Sequence, residues 1–159
     1  LDIIGIELFV QSPKLCQPEN WMIGNAEWQF LGRATKADLD RYISADPELF
    51  RGYERFVSAD DLAARPPEYS LALVMPQRLS WYARISPRGK RQIIGTFSIT
   101  GQSYTLPLTD EIYEKCLEDM PLGATRWHDP AVPVLLTISL GDLYKTTDRY
   151  YKLIAGVIL

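Results

Sequence analysis

A mainly β domain with short helices, built on a small, partly open barrel, is the fold this sequence predicts, and three observations predict it. Four segments between residues 69 and 108 alternate apolar and polar side chains with a period of two. A single amphipathic helical pattern, "TDEIYEKCLEDM", follows them. Two more apolar strands, "VLLTISLG" and "YYKLIAGVIL", come after it.

Taken in order, the chain opens with "LDIIGIELFV", a nearly continuous apolar run that suits a strand buried on both faces. "QSPKLCQPENWMIG" has two prolines and an Asn-Trp step, which suits an irregular crossing; Glu19 and Asn20 read as an Asx-type turn pinned by a buried Trp21. "AEWQFLG" is a short strand with Trp28 and Phe30 on one face. Thr35 with Asp38 forms a capping box for a short helix whose stripe is Leu39, Tyr42 and Ile43. Ser58 with Asp61 repeats the device before "DLAARPP", where two prolines stop the helix. Both helices are connectors.

From Tyr69 the period becomes that of strands. "SLALVMP" alternates on Leu71, Leu73 and Met75, and "LSWYARIS" sets Leu79, Trp81, Ala83 and Ile85 against Tyr82 and Arg84. "SPRGK" is turn chemistry, and "RQIIGTFSITGQSYTLPL" holds two more strands parted by Gly101 and Gln102. In the helix that follows, Ile112, Tyr113, Cys116, Leu117 and Met120 form the apolar face and five acids from Asp110 to Asp119 form a solvated one. A loop containing "RWHDPAVP" leads to the two closing strands, joined by "DLYKTTDR". A meander, one helix and returning strands is the element order of a small OB-like barrel.

Composition bounds the function. With 159 residues, 47% hydrophobic and 23% charged, the chain is an ordinary globular sequence, and no disordered tail is indicated. A net charge of −3 excludes a surface that is basic throughout, so any nucleic-acid site must be local. Charge is segregated: residues 69–109 carry Arg78, Arg84, Arg88, Lys90 and Arg91 without one acid, while the remainder carries twelve Lys/Arg against twenty Asp/Glu. Cys16 and Cys116 lie one hundred residues apart, with no metal or redox spacing, and read as two buried reduced thiols. No apolar run approaches a membrane span and no signal peptide is present, which reads as a cytoplasmic protein without membrane contact.

The residues also carry a likeness. "QPENWMIG", "SLALVMPQRLSW", "GTFSITGQSYTLPLTD" and above all "LLTISLGDLYKTTDRYYKLIAGVIL" resemble the second half of the dual OB-fold-containing domain of bacterial proteins. Ser139 to Ile158 is the most specific part, and the likeness covers nearly all of the chain. It implies a role in bacterial defence or nucleic-acid processing and attaches no catalytic residue. Residues 1–10 resemble the strand that closes the preceding barrel of that family, whose N-terminal barrel has no counterpart here. The expected organisation is therefore a strand at 1–10, an irregular connector at 11–68 and an OB-like barrel at 69–159.

Each candidate site has a plainer rival. Flat rings on which bases stack, with cations along the backbone path, are what single-strand recognition needs. Tyr82, Arg84, Arg88, Lys90, Arg91 and Tyr104 are the residues expected to supply them, with Trp81 in the core. The rival is a hairpin whose cations only keep it soluble. His128 beside Asp129 lacks a nucleophile or metal partner and reads as a loop histidine. "TISLG" lacks the leading glycine of a nucleophile elbow, and no Gly-rich phosphate loop occurs. The expectation is a non-catalytic module without metal or cofactor, recognising single-stranded nucleic acid or a nucleotide. The alternative is a structural module that positions a partner protein or fused enzyme. The oligomeric state is left open.

Overall fold

The computed structural model describes residues 1–46 and 48–159, and the barrel is built from two four-stranded sheets that share one strand path. That path is β6 (Leu71–Val74) and β7 (Gln77–Ile85), broken at Met75 and Pro76. β7 starts the meander with β8 (Arg91–Ile99) and β9 (Gln102–Pro107), all antiparallel. Beyond the break, β6 pairs with β11 (Leu135–Tyr144), which pairs in turn with β12 (Arg149–Ile158). A parallel bridge from Leu108 to Ile154 then joins the end of β9 to β12. The circuit is β6/β7, β8, β9, β12, β11 and back to β6, the five-strand order of an OB barrel.

Two short strands escaped the sequence pattern. β5 (Phe56–Ser58) adds to the outer edge of β12, and β10 (Thr125–Trp127) adds to β7. At three residues each they are too short to show alternation. β5 lies within the 11–68 segment and joins the barrel sheet at β12.

The interior is filled by Trp81, Phe97, Leu106, Ile138, Leu140 and Ile154. Trp81 therefore points inward as expected, and Gly95 makes room for it: a methyl group there would stand 2.5 Å from Ile154 Cδ1 and 2.9 Å from Trp81 Cζ3. On β6 the expected face is reversed. Ala72 and Val74 are buried, while Leu71 and Met75 are exposed, because the path bends at Pro76 and its two halves do not keep one phase.

α1 (Ala59–Ala64) is capped by Ser58, whose hydroxyl accepts from Asp61 N at 3.1 Å. The expected helix after Thr35 is a 3-10 turn, Lys36–Tyr42, in which Asp38 accepts from Thr35 N at 2.7 Å and Tyr42 is exposed. α2 (Glu111–Cys116) turns Tyr113 toward Trp81, with ring centroids 5.1 Å apart, and Leu117 and Met120 are buried just beyond it. Ile112 and Cys116, expected on the buried face, are exposed. Asp110 Oδ1 accepts from both Ile112 N and Tyr113 N, and this cap fixes the helix's rotation.

The first 34 residues form a bent two-stranded ribbon. β1 (Asp2–Gly5) pairs with β4 (Gln29–Arg33), and β2 (Leu8–Gln11) pairs with β3 (Trp21–Ile23). The run at 1–10 is not buried on both faces, since Ile3, Leu8, Phe9 and Val10 are all exposed and no described element covers them. Trp21 is exposed as well. The ribbon's tip is anchored by Glu19, which accepts from Ser70 N at 2.8 Å and from Ser70 Oγ, and by buried Cys16.

One buried cation ties the barrel to its neighbouring loop. Lys152 on β12 is fully buried, donates to Gly52 O and lies over the Tyr104 ring at 5.7 Å. Burial pulls its pKa down to about 8, against the opposing pull of Glu48 and Glu54. The unfolded chain holds that proton up to the ordinary value of 10.5, so between about pH 8 and 10.5 the unfolded state binds more protons and stability rises with pH. The urea midpoint is expected to rise from pH 7.5 to 9.5 and to lose that rise in Lys152→Met; a flat or falling wild-type profile would contradict the assignment.

Candidate functional site

A cleft of about 860 Å³ lies across the place where β9 and β12 meet. Its floor is β8 and β9, with Gln92, Ile94, Thr105 and Pro107, and its far wall is Tyr151 and Leu153 of β12. Two pieces border it together, the β7–β8 turn at residues 86–90 and Tyr144 at the end of β11, which Arg88 of that turn covers. The first is set by Ser86 N donating to Lys90 O at 2.7 Å, with Gly89 at φ +74. In an OB barrel these strands and loops make up the ligand face.

Arg84, Arg88, Lys90 and Arg91 all line this one cleft, so the acid-free segment does converge, and Arg55 joins them. Their availability differs. Arg84 donates to Gln92 Oε1 from Nε at 3.1 Å and from a terminal nitrogen at 2.9 Å. Arg91 donates to Leu117 O at 3.0 Å and Met120 O at 2.7 Å, and so stabilises the turn that ends α2. Among the described residues, nothing holds the ammonium of Lys90. Arg88 lies over the Tyr144 ring, 5.3 Å from its centroid, and donates to its hydroxyl. Acidic residues in the lining are Glu54 and Glu114; burial, then the neighbouring Glu111 and Asp110, push Glu114 above the usual carboxylate range.

The rings are not the ones expected. Tyr104 is 2% exposed, stacks on Phe97 at 5.7 Å and accepts from Leu49 N at 3.1 Å, so no incoming base reaches it. Burial raises its phenol pKa above the ordinary value. Tyr82 is 40% exposed, beside Arg84 on the outer face of β7, but does not line the cleft. Sequence reasoning missed Tyr144 and Tyr151, which do. They meet edge to face at 6.0 Å, Tyr151 meets Phe56 at 6.0 Å, and Arg149 covers Phe56 at 3.9 Å. The signal was present in "LYKTTDRYYK", where rings and cations flank a polar turn.

The chain also matches one family model, that of the dual OB-containing domain, over residues 1–157. The chain belongs to that family. No curated protein and no solved structure matches it. OB-fold domains are generally binding modules, and the dual OB-containing domain places this chain among them at that level. Among the described residues no group of His, Cys, Asp and Glu is arranged to hold a metal ion, and no helix is long and apolar enough to cross a membrane. His128 has its Nε2 2.7 Å from Val132 O, a contact within its own loop.

The cations of the cleft should separate by role. Arg91→Ala is expected to lower folding stability by about 1–2 kcal/mol through loss of its bonds to two helix-end carbonyls. Lys90→Ala should stay within about 0.5 kcal/mol of wild type. Equal losses in denaturant titrations of the two variants would show that Arg91 is not structural.

Proposed function

We propose that this domain is a non-catalytic module that binds single-stranded nucleic acid or a nucleotide in the cleft, in a bacterial defence or nucleic-acid-processing setting. The observation that carries the reading is the convergence of Arg55, Arg84, Arg88, Lys90 and Arg91 on one cleft bordered by Tyr144 and Tyr151. Cations along a backbone path and rings beside it are the two components single strands require. Arg88, held over the Tyr144 ring, sets a planar cation beside a ring where a base could stack. The hydroxyls of Ser86, Ser103 and Thr105 supply donors and acceptors for sugar and base edges.

A second reading, a module that positions a partner protein or fused domain, is favoured by one specific feature. The ribbon at 1–34 exposes Phe9, Trp28, Phe30 and Leu31, an apolar face that a partner protein or fused domain would cover.

Fluorescence anisotropy of a short labelled oligothymidylate tests the first reading. Three cations not tied to the protein's own amides or carbonyls, Arg55, Arg88 and Lys90, give a slope of log affinity on log salt of about −2, at about 0.7 per phosphate. Arg88→Glu with Lys90→Glu should weaken binding at least about tenfold, and Tyr144→Ala about fivefold or more. Salt-independent binding, or binding indifferent to these changes, would overturn it.

A further inference from the structure

A second cavity, about 650 Å³, opens at the break in the shared strand path and has no lining residue in common with the cleft. The break creates it. Pro76 has no amide hydrogen to continue the ladder, Arg78 sits at φ +53, and the pairing of β7 with β8 slips between Gln77 and Ser80. The path therefore leaves β11 after Val74 and reaches the meander only after a gap.

The loop after β10 roofs this gap and is held in one shape. His128 N donates to Leu79 O at 2.9 Å, Val132 N to Asp129 O at 3.0 Å and Ala131 N to Asp129 Oδ1 at 2.9 Å. Because Val132 O can only accept, His128 Nε2 carries the proton in its 2.7 Å contact with it. Lys36 Nζ donates to Pro133 O at 2.7 Å from the other side. The pocket is preformed, and its volume lies in the range of small-molecule sites.

Its chemistry is one-sided. Trp127, 69% exposed, and Met75 stand in the wall with Val132 and Leu135, giving a largely apolar lining with one broad ring. The charged lining residues are Lys36 and Arg78, and no lining residue is acidic. The nearest acid in the loop, Asp129, is turned back onto Ala131 N. Arg78 has no hydrogen bond, ion pair or ring contact among the described residues, so its guanidinium is uncommitted beside an apolar wall. From this charge complementarity we infer a second ligand site, which takes a small flat apolar molecule bearing one acid group, of the aromatic carboxylate class. The ring lies against Trp127 and Met75, and the carboxylate pairs with Arg78.

The probe is 2-naphthoate, titrated into the whole domain while the indole N–H resonance of Trp127 is followed by NMR, assigned with Trp127→Phe. A saturable shift is expected. Arg78→Asn removes the charge but tolerates the left-handed backbone, and should weaken binding at least about fivefold, the loss of one charge-assisted contact. The neutral analogue 2-naphthylmethanol should bind wild type at least as much more weakly and be indifferent to that substitution. If Arg78→Asn proves unstable, Arg78→Gly serves, since glycine adopts the same backbone at no steric cost. No saturable shift at millimolar probe, or equal binding of acid and alcohol, overturns the site. Neither result bears on the cleft.

Discussion

The barrel closes at a seam that is nearly absent, and the rest of the molecule is arranged around that fact. β9 and β12 share the single parallel bridge from Leu108 to Ile154, reinforced by Thr109 N donating to Ile154 O at 2.9 Å. Asp110 completes the join: one carboxylate oxygen caps α2 and the other accepts from Val157 N at 3.0 Å, so helix, meander and last strand meet at one side chain. A fully paired seam would leave no cleft. Here Ser103 and Thr105 on one strand and Tyr151 and Leu153 on the other face an opening.

That opening explains the segregated charge better than a simple ligand argument does. Arg91 and Arg84 are partly structural, one serving the carbonyls beyond α2 and the other a cross-strand glutamine. Acids in the same hairpins would compete for those guanidiniums and fold them away from their partners. The segment's remaining cations, with Arg55 from the loop before β5, give the cleft its positive character. Lys152, buried beneath that loop, holds its turn at Gly52 against the barrel.

Most of the barrel was legible because it obeys period two over long strands. β7, β8 and β9 and the inward Trp81 followed from alternation, the turn between β7 and β8 from its turn chemistry, and the closing hairpin from its apolar runs. What failed did so where a local signal was too short or was overruled by tertiary contacts. β5 and β10 have three residues each. The face of β6 reversed because Pro76 resets the phase, and Tyr104 looked accessible only because its polar tip hid a buried role. The cationic half of the cleft was readable from the missing acids. Its aromatic half lies sixty residues away in another sheet, and only the fold brings the two together.

The ribbon shows the same limit from the other side. Its apolar run predicted burial, yet a pattern says only that a face favours cover and not that cover lies within the same described fold. The central claim concerns the seam, and amide chemical-shift mapping by NMR during titration with a short oligothymidylate tests it most directly. The account predicts shifts at the β7–β8 turn, at Tyr144 and along the facing edges of β9 and β12, with the ribbon and the β6–β7 break unmoved. Shifts confined to the ribbon or to the outer face of β7 around Tyr82, with the seam silent, would contradict it.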